Sequence, residues 1–270
     1  MNFDEIARRG LVMLGCGKMG QAMLKGWLEA GLPAGAVWVL DPKPSDWVTA
    51  RGINVNAGLP ADPAVAIVAV KPQVMDAALG QLAPLGGGGT LVISVAAGTS
   101  ISLFEEVLGK ATRVIRAMPN TPAAVGRGIT AIVGNDAAGD ADADIAEALL
   151  SAVGQVVRLS DEGQIDAVTG VSGSGPAYIF YMIETLAAAG RAEGLPEDMA
   201  MQLAKATVAG AGALAEAAED SPTQLRRNVT SPNGTTQAGL EVLMDEAKGL
   251  APLMRATVGA AANRARELKG

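Results

Sequence analysis

The feature that most constrains the fold is a glycine-rich hexapeptide between a predicted strand and a predicted helix. The apolar run Leu11–Leu14 precedes Gly15-Cys16-Gly17-Lys18-Met19-Gly20, and a helical segment follows over Met19–Ala30. In this context Gly15 permits a tight turn, Gly17 lets backbone approach a pyrophosphate, and Gly20 lets the helix pack on the strand. The helix N-terminus then faces the anion. The pattern predicts a dinucleotide-binding site, and the alternative is a glycine turn that serves packing alone.

Short apolar runs alternate with amphipathic segments through the first 160 residues. Buried parallel strands read as continuous apolar runs, so this alternation predicts an α/β domain with a parallel sheet covered on both faces. The predicted strands are Leu11–Leu14, Val37–Leu40, Ala66–Val70, Leu91–Val95, Arg113–Ala117, Ile129–Val133 and Val156–Leu159. The predicted helices between the early strands are Met19–Ala30, Gln73–Leu82 and Ser102–Leu108.

The pattern changes near residue 160, where the strand signals end. The sequence therefore predicts a dinucleotide-binding domain over residues 1–160 and an all-α domain over residues 161–270. Small residues at Ala206, Gly210, Ala213 and Ala217 favour close helix packing, either within one subunit or between two. The predicted helices are Gly163–Val171, Pro176–Gly194, Pro196–Glu219, Pro222–Val229, Thr235–Lys248 and Ala251–Lys269.

The composition disfavours several classes of function. The chain has no histidine, which removes imidazole acid–base chemistry and most zinc sites, and no metal site is predicted. Its single cysteine cannot form an internal disulfide, which favours a reducing compartment. The net charge of −7 disfavours nucleic acid and anionic membranes as partners. Without a visible targeting or spanning segment, we expect a cytoplasmic location.

Further candidate contacts follow the second, third and fourth predicted strands. An acidic side chain at Asp41 suits a ribose 2′-hydroxyl, whereas Lys43 and Ser45 would instead suit a 2′-phosphate. Lys71 offers a positive charge to a cofactor or substrate, unless it is simply a solvated strand end. Ala96 and Ala97 are small enough for their backbone to approach a cofactor closely.

Two loops are rich in small polar side chains. Asn120 lies between Pro119 and Pro122, where it would face a nicotinamide or cap a turn. The segment 228–236, Asn-Val-Thr-Ser-Pro-Asn-Gly-Thr-Thr, joins two predicted helices. Because a helix N-terminus has free N–H groups, this segment suits a small carboxylate ligand, and the alternative is an ordinary helix cap.

These segments, in this order, resemble the Δ1-pyrroline-5-carboxylate reductase family. The resemblance covers nearly the whole chain, and implies reduction of pyrroline-5-carboxylate to L-proline with NAD(P)H. It also implies a Rossmann-type domain followed by a helical dimerisation domain, a homodimer through the helices, and a ring of dimers as a larger assembly. The matching stretches are Gly15–Gly20, Val70–Gln73, Ser94–Gly98, Arg116–Pro122, Gly170–Tyr178 and Asn228–Thr236.

The resemblance also implies roles for individual residues. The implied cofactor contacts are Gly15, Cys16, Gly17, Lys18, Met19, Gly20, Val70, Lys71, Pro72, Ala96, Ala97 and Asn228. The implied substrate contacts are Glu219, Ser231, Gly234, Thr235 and Thr236, with Thr236 hydrogen-bonding the imine nitrogen as the catalytic residue.

The chain departs from the family pattern at Lys18, where asparagine is frequent, and at Asp41-Pro42-Lys43, where many members have Asn-Arg or serine. The resemblance favours NADPH and Asp41 favours NADH, so both cofactors stay open.

Two other functions stay open. A β-hydroxyacid dehydrogenase also joins a Rossmann domain to helices, but that resemblance calls for a lysine in the first long helix of the second domain. Residues 176–194 contain none. A non-catalytic NAD-sensing regulator would need the glycine loop but not the serine–threonine segment.

Overall fold

A computed structural model describes residues 3–268. The chain forms two compact units, one comprising the residues up to Gly173 together with those from Ala262 onward, and the other Ser174–Ala261. The boundary predicted near residue 160 divides the chain by type of secondary structure, and as a division between functional domains it stays a prediction.

One eight-stranded sheet organises the described part of the first unit. Its order is β3-β2-β1-β4-β5-β6-β7-β8, and adjacent strands are parallel except β6 and β7, which are antiparallel. The strands are β1 Leu11–Leu14, β2 Val37–Leu40, β3 Asn54–Val55, β4 Val65–Val68, β5 Leu91–Ser94, β6 Arg113–Met118, β7 Gly128–Gly134 and β8 Gly154–Arg158.

Helices cover both faces of this sheet, as the continuous apolar strands predict. Leu11 and Met13 of β1 pack into the same cluster as Trp27, whereas Val12 and Leu14 pack into a second cluster with Phe104. Successive side chains of a strand point to opposite faces, so β1 is buried on both sides. The helices of this unit are α1 Asp4–Arg9, α2 Lys18–Glu29, α3 Asp46–Thr49, α4 Met75–Leu79, α5 Ile101–Leu108, α6 Asp140–Leu150 and α7 Gln164–Val168.

The second unit is helical, as predicted. Its small buried core contains Ala187, Ala200 and Ala204, through which α8 and α9 pack. The helices are α8 Gly175–Ala192, α9 Glu197–Ala217, α10 Pro222–Asn228, α11 Thr235–Leu243 and α12 Leu250–Glu267, the last of which ends in the first unit. Within residues 3–268, no helix has the length and hydropathy that crossing a membrane requires.

Several predicted elements differ from the structure. The helices α1, α3 and α6 and the short strand β3 were not predicted from the sequence. The helix predicted over residues 73–82 contains only five α-helical residues, flanked by 3₁₀ turns. The helix predicted over residues 163–171 ends at Val168 in a π-helical turn, Thr169–Gly173, and the one predicted to reach Lys248 ends at Leu243.

Candidate active site

The strand order reverses at the carboxyl end of β1, because β2 lies on one side of β1 and β4 on the other. Ligands of open α/β sheets bind at such a switch point. Backbone hydrogen bonds hold the strand ends side by side there. The Gly15 N–H donates to the Leu40 oxygen at 2.8 Å, and the Ala69 N–H donates to the Leu14 oxygen at 2.8 Å. The glycine loop and the segments carrying Asp41 and Lys71 therefore begin at one edge of the sheet.

The three glycines of the loop between β1 and α2 lack a side chain for different structural reasons. Gly15 has φ +82°, and a Cβ there would lie 2.8 Å from Val70 Cγ1. A Cβ on Gly20 would lie 3.2 Å from the Gly15 oxygen and from Met13 Sδ. At Gly17, φ is −72° and a Cβ would meet nothing within 4 Å. Neither conformation nor packing therefore explains Gly17, whereas close approach of a ligand does.

The same loop leaves the first N–H groups of α2 without a side-chain cap. Gly17 is the N-cap and has no side chain to satisfy the first N–H groups of the helix. The Gln21 side chain stabilises the loop, because its Nε2 donates to the Cys16 oxygen at 3.1 Å. The exposed Lys18 begins the helix and the half-buried Met19 follows. This arrangement offers N–H groups and one cation to a phosphate.

The Cys16 thiol is buried in this loop. Burial raises its pKa, and together with the smaller effect of the nearby negative charge of Asp41 brings it to about 12. A thiol with such a pKa is protonated and unreactive near neutral pH. Cys16 therefore fits a packing position whose backbone contacts a cofactor, and not a nucleophile.

Asp41 is fixed at the end of β2 from two directions. Its carboxylate accepts the Cys16 N–H at Oδ2, 2.7 Å away, and the Lys43 N–H at Oδ1, 2.8 Å away. Its backbone is paired with the side-chain amide of Asn56, which accepts the Asp41 N–H at 3.0 Å and donates to the Asp41 oxygen at 2.9 Å. Sequence reasoning found Asp41 but missed Asn56, which has φ +51° directly after β3.

The segments after β4 and β5 complete this edge. Val70 is half-buried against Gly15, while Lys71 and Pro72 are exposed. Ala96 is buried, and its N–H donates to Ser94 Oγ at 3.3 Å, while Ala97 is exposed.

The start of α5, just beyond Ala97, is held by Glu162. Its Oε1 accepts the Ile101 N–H at 3.0 Å and pairs with Arg116 Nη1 at 2.5 Å. Arg116 is 3% exposed and the Glu162 side chain is 30% exposed, so a partly exposed carboxylate neutralises a buried guanidinium. Glu162 was not predicted from the sequence, because nothing in its neighbouring residues indicates that it pairs with Arg116 or caps α5.

Asn120 serves the turn and does not present a free amide. Its Oδ1 accepts the Ile129 N–H at 3.0 Å, and its Nδ2 donates to the Ser172 oxygen at 3.1 Å. Ser172 lies in the π-helical turn Thr169–Gly173. Asn120 therefore connects the proline-flanked loop to the serine–glycine segment.

In the second unit, the candidate substrate residues lie around α10 and α11. Ser221 caps α10 by accepting the Gln224 N–H at 3.2 Å. Asn228 ends that helix, and its side chain is engaged locally, accepting Gln224 Nε2 at 2.7 Å and donating to Asp220 Oδ2 at 3.0 Å. Glu219 is exposed in the connection before α10.

The start of α11 combines hydroxyls with free N–H groups. Gly234 is the N-cap and provides no side-chain cap, so helix geometry leaves the N–H groups of Thr235 and Thr236 without an intrahelical partner. Ser231, Thr235 and Thr236 are exposed. A Cβ on Gly234 would clash with Ser231 Oγ, and the Gly234 N–H donates to the Ser231 oxygen at 3.1 Å. Because the Gly234 N–H is engaged, the free donors for an anion are those of Thr235 and Thr236.

Comparison with known proteins gives the family. A family model described as pyrroline-5-carboxylate reductase dimerisation matches residues 162–268, and one described as NADP oxidoreductase coenzyme F420-dependent matches residues 10–98. The chain is 38% identical over 264 residues to the pyrroline-5-carboxylate reductase of Pseudomonas aeruginosa, covering 96% of each. It belongs to the pyrroline-5-carboxylate reductase family.

Solved structures of this family share the whole fold. The pyrroline-5-carboxylate reductase of Coxiella burnetii superposes with a TM-score of 0.90 at 34% identity, covering 97% of this chain and 99% of that one. The pyrroline carboxylate reductase of Plasmodium falciparum, solved with NADP bound, gives a TM-score of 0.82 at 25% identity, covering 98% and 99%. The predicted Rossmann-type and helical architecture is thereby confirmed.

Proposed function

We propose that this chain reduces 1-pyrroline-5-carboxylate to L-proline by hydride transfer from NADPH or NADH. The observation that carries the proposal is the start of α11, where N–H groups left free by the helix lie beside exposed hydroxyls. Such a helix start suits the carboxylate of a small cyclic imino acid. Family membership, with 38% identity over 96% of the chain, supports the same activity.

The residues at the carboxyl edge of the sheet fit a dinucleotide. Gly17 leaves open space for the backbone of the loop to approach a pyrophosphate, and the α2 N-terminus faces it. Asn228 is also proposed as a contact, through whichever donor its local hydrogen bonds leave free. The residues proposed to hold the cofactor are Gly15, Cys16, Gly17, Lys18, Met19, Gly20, Asp41, Lys43, Val70, Lys71, Pro72, Ala96, Ala97 and Asn228.

The chemistry needs positioning more than acid–base catalysis. When bound, the reduced nicotinamide supplies the hydride, which adds to the imine carbon. The imine nitrogen takes up one proton, carried by the substrate as an iminium or passed from a hydroxyl or water. Thr236 is proposed to hydrogen-bond this nitrogen, while Ser231 and the Thr235 N–H hold the carboxylate beside Gly234. Glu219 is proposed to line the same pocket. Because the cofactor supplies the hydride and the chain only positions the substrate, the reaction does not require histidine.

The proposed working form is a homodimer through the helical unit. The dimerisation family model spans these helices, and α8 presents large apolar side chains to solvent in a single copy. A ring of dimers stays a prediction. A cytoplasmic location is proposed because the only cysteine, Cys16, is a free thiol.

The test is turnover of pyrroline-5-carboxylate, followed by the absorbance of the reduced cofactor. Purified protein is expected to consume NADPH or NADH only when the imine is present. If neither cofactor is consumed, the proposed function is wrong.

Thr236→Ala is expected to lower kcat/KM for the imine by about tenfold in total, through slower turnover and weaker substrate binding, because one hydroxyl hydrogen bond contributes about 1–1.5 kcal/mol. Cofactor affinity should stay nearly unchanged. The matched control is Thr257→Ala, whose hydroxyl donates to the Leu253 oxygen within α12. If Thr236→Ala instead abolishes cofactor binding alone, the residue belongs to the other site.

A further inference from the structure

We propose that Asp41 makes this chain prefer NADH to NADPH, and that Asn56 is the positioning residue that holds Asp41 for this task. The inference deepens the proposed function, on which it rests for the class of cofactor. It concerns the hydroxyl or phosphate at the 2′ position of the adenosine ribose, the one group by which the two cofactors differ.

The first step is the place of the Asp41 carboxylate. It lies at the end of β2, beside β1, and contacts the glycine loop directly through the Cys16 N–H at 2.7 Å. An acidic residue at this point of a dinucleotide-binding sheet accepts the ribose 2′-hydroxyl. Each carboxylate oxygen accepts one backbone N–H and keeps a further lone pair. The carboxylate can therefore accept a hydrogen bond from a hydroxyl, but it cannot donate one to a phosphate.

The second step is the rigidity of this carboxylate. Asn56 holds both the N–H and the carbonyl of Asp41 with its side-chain amide, and its own N–H donates to the Val39 oxygen at 2.8 Å. Asn56 does so at φ +51°, a left-handed conformation that asparagine tolerates better than most residues. To make room for a dianionic 2′-phosphate, the Asp41 carboxylate would have to break its bonds to the Cys16 and Lys43 N–H groups, or the backbone that Asn56 holds would have to move.

The neighbouring groups that could favour a phosphate are the side chains of Lys43, Lys18 and Ser45. The Lys43 ammonium is exposed, and it is the backbone N–H of Lys43 that binds Asp41. An exposed, mobile ammonium contributes little attraction in water, whereas a phosphate beside a fixed carboxylate meets like charge at close range. Lys18 begins α2, where a pyrophosphate common to both cofactors would bind. The Ser45 hydroxyl is buried and unpartnered, but it can donate to a ribose hydroxyl as well as to a phosphate.

The experiment measures dissociation constants for NADH and NADPH by calorimetric titration, alongside kcat/KM for each with pyrroline-5-carboxylate. The unmodified chain is expected to bind NADH about tenfold or more tightly than NADPH, since like-charge contact at an interface costs more than one factor of ten. Asp41→Asn keeps an oxygen for the Cys16 N–H and removes the charge. This variant should lose the preference, because NADPH binds more tightly and NADH less tightly.

Asn56→Gly tests the positioning role, because glycine adopts φ +51° without strain and removes only the amide. The ratio of the two dissociation constants should shift toward NADPH, by less than in Asp41→Asn. An equal loss for both cofactors would show that Asn56 is only structural. The matched control is Asn54→Ala on β3, the strand that directly precedes Asn56, where the Asn54 amide donates to the Gly35 and Val37 oxygens. It should leave the ratio unchanged.

Equal or tighter binding of NADPH by the unmodified chain would overturn the proposal, as would failure to bind either cofactor. Tight, selective NADH binding without turnover of pyrroline-5-carboxylate would refute the proposed function and leave the role of Asp41 standing.

Discussion

Two glycines in the loop between β1 and α2 are expected to respond differently to a methyl group. A Cβ at Gly17 meets nothing within 4 Å in the folded chain, so Gly17→Ala should leave the melting temperature nearly unchanged. The methyl group would occupy the space that lets backbone approach a pyrophosphate. Cofactor affinity should therefore fall about tenfold or more. Thermal unfolding and calorimetric titration measure the two effects separately.

The matched variant is Gly15→Ala. Its φ of +82° and the 2.8 Å distance to Val70 Cγ1 make a side chain costly. The free energy of unfolding should decrease by about 1–3 kcal/mol. A Gly17→Ala protein that loses stability but keeps its cofactor would show that Gly17 is small for packing alone.

Cys16 gives a prediction about pH. Burial raises its pKa from 9.0 to about 12, so the folded chain retains the thiol proton more strongly than the unfolded chain does. This contribution to stability is complete below about pH 9 and is lost as pH rises toward the folded pKa. Alkylation at about pH 8 should be slow in the native protein and fast in denaturant. Rapid modification of the native protein, followed by mass spectrometry, would contradict the buried thiol.

The residues proposed to bind the cofactor, and those that support them, divide into residues predictable from sequence and residues that are not. Gly15, Gly17 and Gly20 were predictable because their roles depend on a local strand–turn–helix pattern. Asn56 was not, because it contacts Asp41 from 15 residues away and its left-handed conformation has no obligatory residue type. Glu162 lies 46 residues from Arg116, and only the folded sheet brings them together.

At the level of elements, α5 depends on a carboxylate supplied by a distant segment. Ser100, the N-cap of α5, makes no side-chain cap, and Glu162 takes its place while neutralising the buried Arg116. Glu162→Ala should lower the free energy of unfolding by about 3 kcal/mol, because it leaves a buried guanidinium unpaired.

Glu162→Gln is the matched variant, since its amide oxygen still accepts the Ile101 N–H. It should lose less stability than Glu162→Ala in chemical denaturation. Equal stability of Glu162→Ala and the unmodified chain would show that solvent already satisfies Arg116.

The strands were predictable because burial on both faces requires unbroken apolar runs. The sequence predicted a parallel sheet, and β7 departs from it by running antiparallel to β6, although the connection between them contains the signal. About nine residues join β6 to β7, and a parallel crossover takes a dozen or more. The missed helix α6 begins Asp-Ala-Asp-Ala-Asp, whose charges obscure its apolar face. Its cap, in which Asp142 accepts the Gly139 N–H at 3.0 Å, is visible only in the structure.

For the whole molecule, the two units differ in how completely they bury their apolar residues. The sheet unit encloses large side chains such as Trp27 and Phe104 in its two clusters. The helical unit has an alanine core and leaves Phe180 58% exposed and Tyr181 66% exposed on α8. Monomeric proteins seldom leave so much contiguous apolar surface in water, and closed two-fold assembly is the commonest way to cover it.

The last prediction concerns that surface. Light scattering of dilute, active protein should give twice the 27.2 kDa mass of one chain, or a multiple of it. Phe180→Glu places a charge on the exposed face of α8. It should produce monomers, because desolvating an unpaired carboxylate at an interface is costly. The matched control is Val107→Glu on α5 in the sheet unit, where the valine is 37% exposed. This variant should keep the oligomeric mass and the activity of the unmodified chain. A monodisperse monomer with full activity would refute the shared helical core.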